Sequence, residues 1–117
     1  MLFYIQRNFG GRFMNYEETA SFLKIIADSS RLEILDLLSC DELCGCDLLE
    51  HFNFSQPTLS HHMKTLVESE FVFKRKDGNK VMYQLNHKRM SDLNKQLQLI
   101  NTPNEMCACH TMKKGVC

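Results

Sequence analysis

From Tyr16 to Ala27 the apolar residues Phe22, Leu23, Ile25 and Ile26 share one helical face. Asp28-Ser29-Ser30 breaks the pattern and offers capping oxygens to a second helix, Arg31–Leu38. There Leu32, Ile34, Leu35, Leu37 and Leu38 are apolar nearly all round, which predicts a helix central to the core. Cys44–Phe52 reads as a third, short helix with Leu48 and Leu49 inward, and Asn53-Phe54 as the turn after it. Ser55 is a natural N-cap for a fourth helix, and Pro57 falls in its first turn, where a missing N–H costs nothing. That helix runs to about Glu68, with Leu59, Met63 and Leu66 on one face. The period then changes. Phe71–Lys76 and Lys80–Leu85 are short strand-like runs separated by the turn residues Asp77-Gly78-Asn79, which predicts a two-stranded hairpin with a basic tip. A last helix, about His87–Ile100, carries Met90, Leu93, Leu97 and Ile100 at helical spacing, and Pro103 ends it. The order predicts a mainly α fold with a small β-hairpin, a winged helix-turn-helix.

With 117 residues there is room for one such domain, placed at 14–101. Residues 1–13 show neither helical nor strand periodicity, and Phe9–Met14 can be encoded by a purine-rich ribosome-binding sequence just ahead of a start codon. They are expected to be a non-native or disordered leader. Residues 102–117 read as a flexible tail containing cysteines. Formal net charge is zero, but acids dominate residues 1–60 and Lys/Arg dominate 61–95. The basic excess thus falls where a DNA-facing surface would need it. No apolar run could span a bilayer and no stretch resembles a secretory signal, so the expected location is cytoplasmic. In that compartment six cysteines point to metal binding or redox sensing more than to bridges. Neighbours in Cys-x-Cys are also expected to be awkward disulfide partners.

Two groups of residues carry candidate chemistry. On the fourth helix Thr58, Ser60, His61 and Lys64 should point outward, with Gln56 at the N-terminal end. Recognition helices present such residues to base edges, and Gln can pair bidentately with adenine. In the hairpin Lys74, Arg75, Lys76 and Lys80 suit the phosphate backbone of double-stranded operator DNA. The second group is Cys44 and Cys46. Residues i and i+2 of a regular helix point to nearly opposite sides, so the pair is expected to share one ion only if the backbone around Gly45 is extended or unwound. Binding would then distort the third helix and, through it, the fourth. Thiolates favour soft acceptors; three sulfurs suit As(III) or Sb(III), and four suit Zn or Cd. Cys40 is the nearest third ligand, with Cys107 and Cys109 as rivals. His51, His61, His62 and His87 read as DNA-facing or packing residues. No nucleophile–base or paired-carboxylate constellation argues for an enzyme, and DNA binding calls for no cofactor. The apolar stripe of the last helix, together with the first helix, predicts a homodimer.

The segments SSRLEILDLLS (29–39), ELCGCD (42–47), FSQPTLSHHMKTL (54–66) and RKDGNKVMYQL (75–85) resemble the ArsR/SmtB family of metal-sensing repressors, most of all its arsenical-resistance members. The likeness extends over roughly Tyr16–Asn101. It implies an apo dimer on the operator of an arsenic-resistance operon, released when As(III) or Sb(III) binds at the third helix. This sequence departs from the family pattern at Leu49, where some arsenic sensors carry a third Cys. Residues 1–39 lack the cysteines of cadmium/lead-type relatives, and Asn86, His87 and Asp92 do not reproduce the zinc-type set. The alternatives are a thiol redox-responsive or Cd/Zn-responsive repressor on the same scaffold, or a metal chaperone driven by the tail.

Overall fold

Each helix starts where a short side chain can accept an amide hydrogen that the helix itself leaves unpaired. In a computed structural model, which describes residues 14–103, Asn15 caps α1 (Tyr16–Ile26) by accepting the Glu18 N–H at 2.7 Å, and the Glu18 carboxylate answers by accepting the Asn15 N–H. Asp28 caps α2 (Ser29–Leu38) through the Arg31 N–H at 3.0 Å. Ser55 caps α4 (Gln56–Glu68), and Asn86 caps α5 (His87–Asn101). The leader 1–13 and the tail thiols Cys107 and Cys109 lie outside the described residues.

The expectations for the third helix and the hairpin are corrected. The third helix, α3, is Gly45–His51 rather than Cys44–Phe52. Cys44 precedes it in an extended conformation (φ −83°, ψ 161°), and Leu43–Cys44 forms a strand, β1. The hairpin of β2 (Val72–Asp77) and β3 (Lys80–Leu85) is therefore widened to a three-stranded antiparallel sheet in the order β1-β3-β2. Leu43 faces Tyr83, and Cys44 faces Met82. The tip is the two-residue loop Gly78-Asn79; Gly78 has φ +64°, which glycine adopts without a steric penalty.

The core lies between α2, α4 and the sheet. Ile34, Leu35 and Leu38 meet Leu59, Met63 and Leu66, with Leu48, Phe71, Val72 and Leu85 closing the layer. Truncating one of these to alanine costs about 2–5 kcal/mol. Leu32 departs from the expected all-round burial, being 50% exposed on the outer face of α2. On α5, Leu93 and Gln96 turn inward while Leu97 and Ile100 are 38% and 61% exposed. The helix is rotated so that part of its apolar stripe has no cover among the described residues. At the end of α4 the Phe71 and Glu70 amides reach back to Leu66 and Val67, with Glu70 in the left-handed region at φ 64°. This turn feeds the chain directly into β2.

Candidate functional site

Burial of Leu59, Met63 and Leu66 fixes the rotation of α4 and leaves Gln56, Thr58, Ser60, His61 and Lys64 exposed. The Ser55 and Thr58 hydroxyls lie 3.0 Å apart, so the first turn of α4 is tied at its cap. Beside it, Lys74, Lys76 and Lys80 are exposed along the hairpin. Arg75 is differently placed. Its Nε and Nη2 donate to the two carboxylate oxygens of Glu42 at 2.8 and 2.6 Å, and Asp77 stands 3.9 Å away. The guanidinium holds the Glu42 carboxyl below its ordinary value, first through these hydrogen bonds and then through charge. Arg75 thus joins β2 to the residue just ahead of β1.

His62 turns inward. Arg31 Nη1 donates to its Nδ1 at 3.2 Å, while Arg31 Nε donates to the Ile25 carbonyl at 2.6 Å. One guanidinium therefore ties the end of α1 to α4. Burial pushes the His62 imidazole below its ordinary value; Asp28 opposes that shift, and the charges of Arg31 and His61 add to it. Sequence reasoning missed Arg31, although a cation in the first turn of a helix is electrostatically unfavourable and could have drawn notice. His51 pairs with Glu33 at 2.8 Å across α3 and α2, on the surface.

The thiol pair corrects the sequence reading most. Cys44 and Cys46 form a disulfide, with their Cα atoms 5.2 Å apart, inside the range that such bonds allow. The two sulfurs meet while α3 stays regular, because Cys44 is extended and only Cys46 belongs to the helix. Cys44 itself acts as the N-cap: its sulfur accepts the Asp47 N–H at 3.2 Å, and the Asp47 carboxylate accepts the Cys44 N–H at 3.1 Å. Cys44 is 3% exposed and Cys46 lies at the surface. Among the described residues, the ligand-type atoms of Cys44, Cys46 and Asp47 all lie within 4.8 Å of one another. Cys40 is free and exposed and stands outside that group.

Both halves of the site open on one cleft of about 290 Å³. Cys44, Gly45, Cys46 and Leu49 form one wall, Gln56, Leu59, Ser60 and Met63 of α4 the second, and Asn79, Lys80, Val81 and Tyr83 of the hairpin the third. The Tyr83 ring lies against Gly45, where an added Cβ would meet it at 3.5 Å, and burial pushes the Tyr83 hydroxyl up. No described helix is long and apolar enough to cross a membrane.

Residues 28–74, from the cap of α2 into β2, match the family model described as bacterial regulatory protein, arsR family. The chain is 64% identical over 104 residues to the arsenical resistance operon repressor of Staphylococcus aureus, covering 89% of this chain and 100% of that one. It is 62% identical, with the same coverage, to the repressor of that name from Staphylococcus xylosus. A crystal structure described as a possible transcriptional regulator for arsenical resistance superposes with a TM-score of 0.61 at 29% identity, over 65% of this chain and 79% of the other.

Proposed function

This chain belongs to the arsR family of bacterial regulatory proteins, and on that premise we propose that it represses an arsenical resistance operon. The apo protein holds double-stranded operator DNA, and As(III) or Sb(III) binding to Cys44 and Cys46 releases it. One observation carries this reading: the thiol pair shares its cleft with Gln56 and Ser60 of α4 and with Lys80 of the hairpin. An inducer on the sulfurs therefore lies against the surface that would read DNA. Gln56, Thr58, Ser60, His61 and Lys64 face base edges, and Lys74, Lys76 and Lys80 face phosphates. A second copy of the chain covers Leu97 and Ile100 on α5. The two α4 helices are then set about 34 Å apart for an inverted repeat.

The corrected geometry changes how release works. Ligation need not unwind α3. It pulls on Cys44, whose backbone belongs to the same sheet as β3, and on Cys46 in the first turn of α3. The signal thus has a route to the hairpin and a route to α4. The third coordination position falls to a solvent oxygen or the Asp47 carboxylate, with Cys40, Cys107 and Cys109 as competing donors. The disulfide supports a second reading, in which oxidation of the same pair is the trigger.

Fluorescence anisotropy of a labelled operator separates the two. Under full reduction, arsenite should release the DNA; if only peroxide does so, the redox reading replaces the metalloid one.

A further inference from the structure

Arg31 carries a positive charge into the first turn of α2, where the helix dipole disfavours it, so its place there depends on its partners. The guanidinium has two. Nε donates to the Ile25 carbonyl at the end of α1, 2.6 Å away, and Nη1 donates to Nδ1 of His62 on α4 at 3.2 Å. The second bond needs a neutral imidazole, since a protonated ring carries a hydrogen on both nitrogens and accepts nothing. Resting on the reading above, we infer that Arg31 is a positioning residue for operator binding: through neutral His62 it sets α4 against α1, and a proton on His62 breaks that hold and weakens the grip on DNA.

The seam matters because α4 faces the bases, while α1 is joined to α5, the helix that a second copy covers. Arg89 of α5 stands 4.4 Å over the Phe22 ring of α1. A change in the angle between α1 and α4 therefore changes the spacing of the two α4 helices on an inverted repeat. Among the described residues, the charged and titratable groups acting on His62 are Asp28 and Arg31 from α2 and its cap, and His61 on α4, its ring 5.9 Å away. The turn before α4 brings the Phe54 ring to 5.4 Å, and α1 presents the Ile25 carbonyl to the same guanidinium. Asp28 is already engaged, accepting the Arg31 N–H at 3.0 Å as the cap of α2. Burial favours the neutral ring. Once the ring takes a proton from solvent, two cations face each other across the 3.2 Å contact. Arg31 keeps its own proton, so it must move away.

Operator affinity of the full, reduced chain is measured by fluorescence anisotropy at about pH 7.5 and about pH 5, with the helical circular dichroism signal followed in the same samples. His62→Gln supplies an amide oxygen that accepts from Arg31 and does not titrate, so it should bind within about threefold of the wild-type protein at the higher pH. Each imidazole that must shed a proton contributes up to about tenfold per pH unit below its midpoint, and a dimer has two. The wild-type protein should therefore lose about tenfold or more affinity in acid relative to His62→Gln. Arg31→Gln removes the fork and the repulsion together; it should bind more weakly than wild type at the higher pH and share the flat acid response of His62→Gln. Both variants keep His61, whose protonation on the DNA face acts in the opposite direction, so the comparison cancels it. Equal acid responses in wild type and His62→Gln, an Arg31→Gln protein that behaves like wild type, or acid weakening that only follows loss of the helical signal overturns the inference. If Arg31→Gln fails to fold, the His62→Gln comparison decides alone. Operator held at the higher pH with equal acid responses leaves the proposed function standing without this inference; no operator binding at either pH removes both.

Discussion

Arg75→Ala should leave the salt dependence of operator binding unchanged, although Arg75 sits among the basic residues of the hairpin. Each phosphate neutralised by a cation contributes roughly 0.9 to the slope of log K against log salt. In a two-fold dimer one lysine per protomer therefore contributes about 1.8. Lys76→Ala should flatten the slope by about that amount, which between 50 and 200 mM salt is a difference of roughly tenfold in affinity. Arg75 differs because both faces of its guanidinium fork are taken by Glu42, at 2.6 and 2.8 Å. Its alanine variant loses the tie to the residue before β1 and no phosphate contact. Glu42→Gln should do the reverse, freeing the guanidinium and steepening the slope by about one contact per protomer. Anisotropy titrations of a labelled operator at four or five salt concentrations measure all three. If Arg75→Ala flattens the slope as much as Lys76→Ala, Arg75 leaves Glu42 when DNA arrives, and the assignment of that pair as an internal tie is wrong.

Other consequences concern stability. Gln96 is fully buried on α5 and neither amide atom has a hydrogen-bond partner among the described residues, so Gln96→Met should stabilise the fold by about 1–3 kcal/mol in urea denaturation. A loss of stability would mean that the assembled protein pairs the amide. Glu70 holds a positive φ at the end of α4, and its ion pair with Arg89 is exposed. Glu70→Gly should therefore gain about 0.5–1 kcal/mol net, and a destabilised variant would contradict the turn described here. The imidazole of His62 is held below 6.5 in the folded chain, so the native state binds its proton less readily than the unfolded chain does. Stability should be intact above pH 6.5 and decline as pH falls below it. His62→Gln should show a shallower decline across that window, and an identical profile would remove His62 as its source.

Most of the fold was legible because its punctuation is local. Asp28, Ser55 and Asn86 stand immediately before their helices, and the inward spacing of Leu59, Met63 and Leu66 fixed which side of α4 faces out. What could not be read depends on partners distant in sequence. β1 has two residues, too few for an alternating pattern, and exists because β3 lies beside it. Cysteine is outside the usual N-cap residues, so the sequence pattern places Cys44 inside the helix, whereas it caps α3 from an extended backbone. The inward turn of Gln96 in place of Leu97 also belongs to packing, since a helical wheel prefers the leucine. Likewise the contact of Arg31 with His62 spans 31 positions and leaves no mark on either neighbourhood.

Two sulfurs, those of Cys44 and Cys46, carry the proposed function. The direct measurement is arsenite-induced operator release, under full reduction, in Cys40→Ser, Cys44→Ser and Cys46→Ser beside the wild-type protein. Cys44→Ser and Cys46→Ser should both hold the operator at arsenite concentrations that free the wild-type protein, and Cys40→Ser should lose little, since its sulfur lies outside the group formed by Cys44, Cys46 and Asp47. Normal release from Cys44→Ser would contradict the central claim.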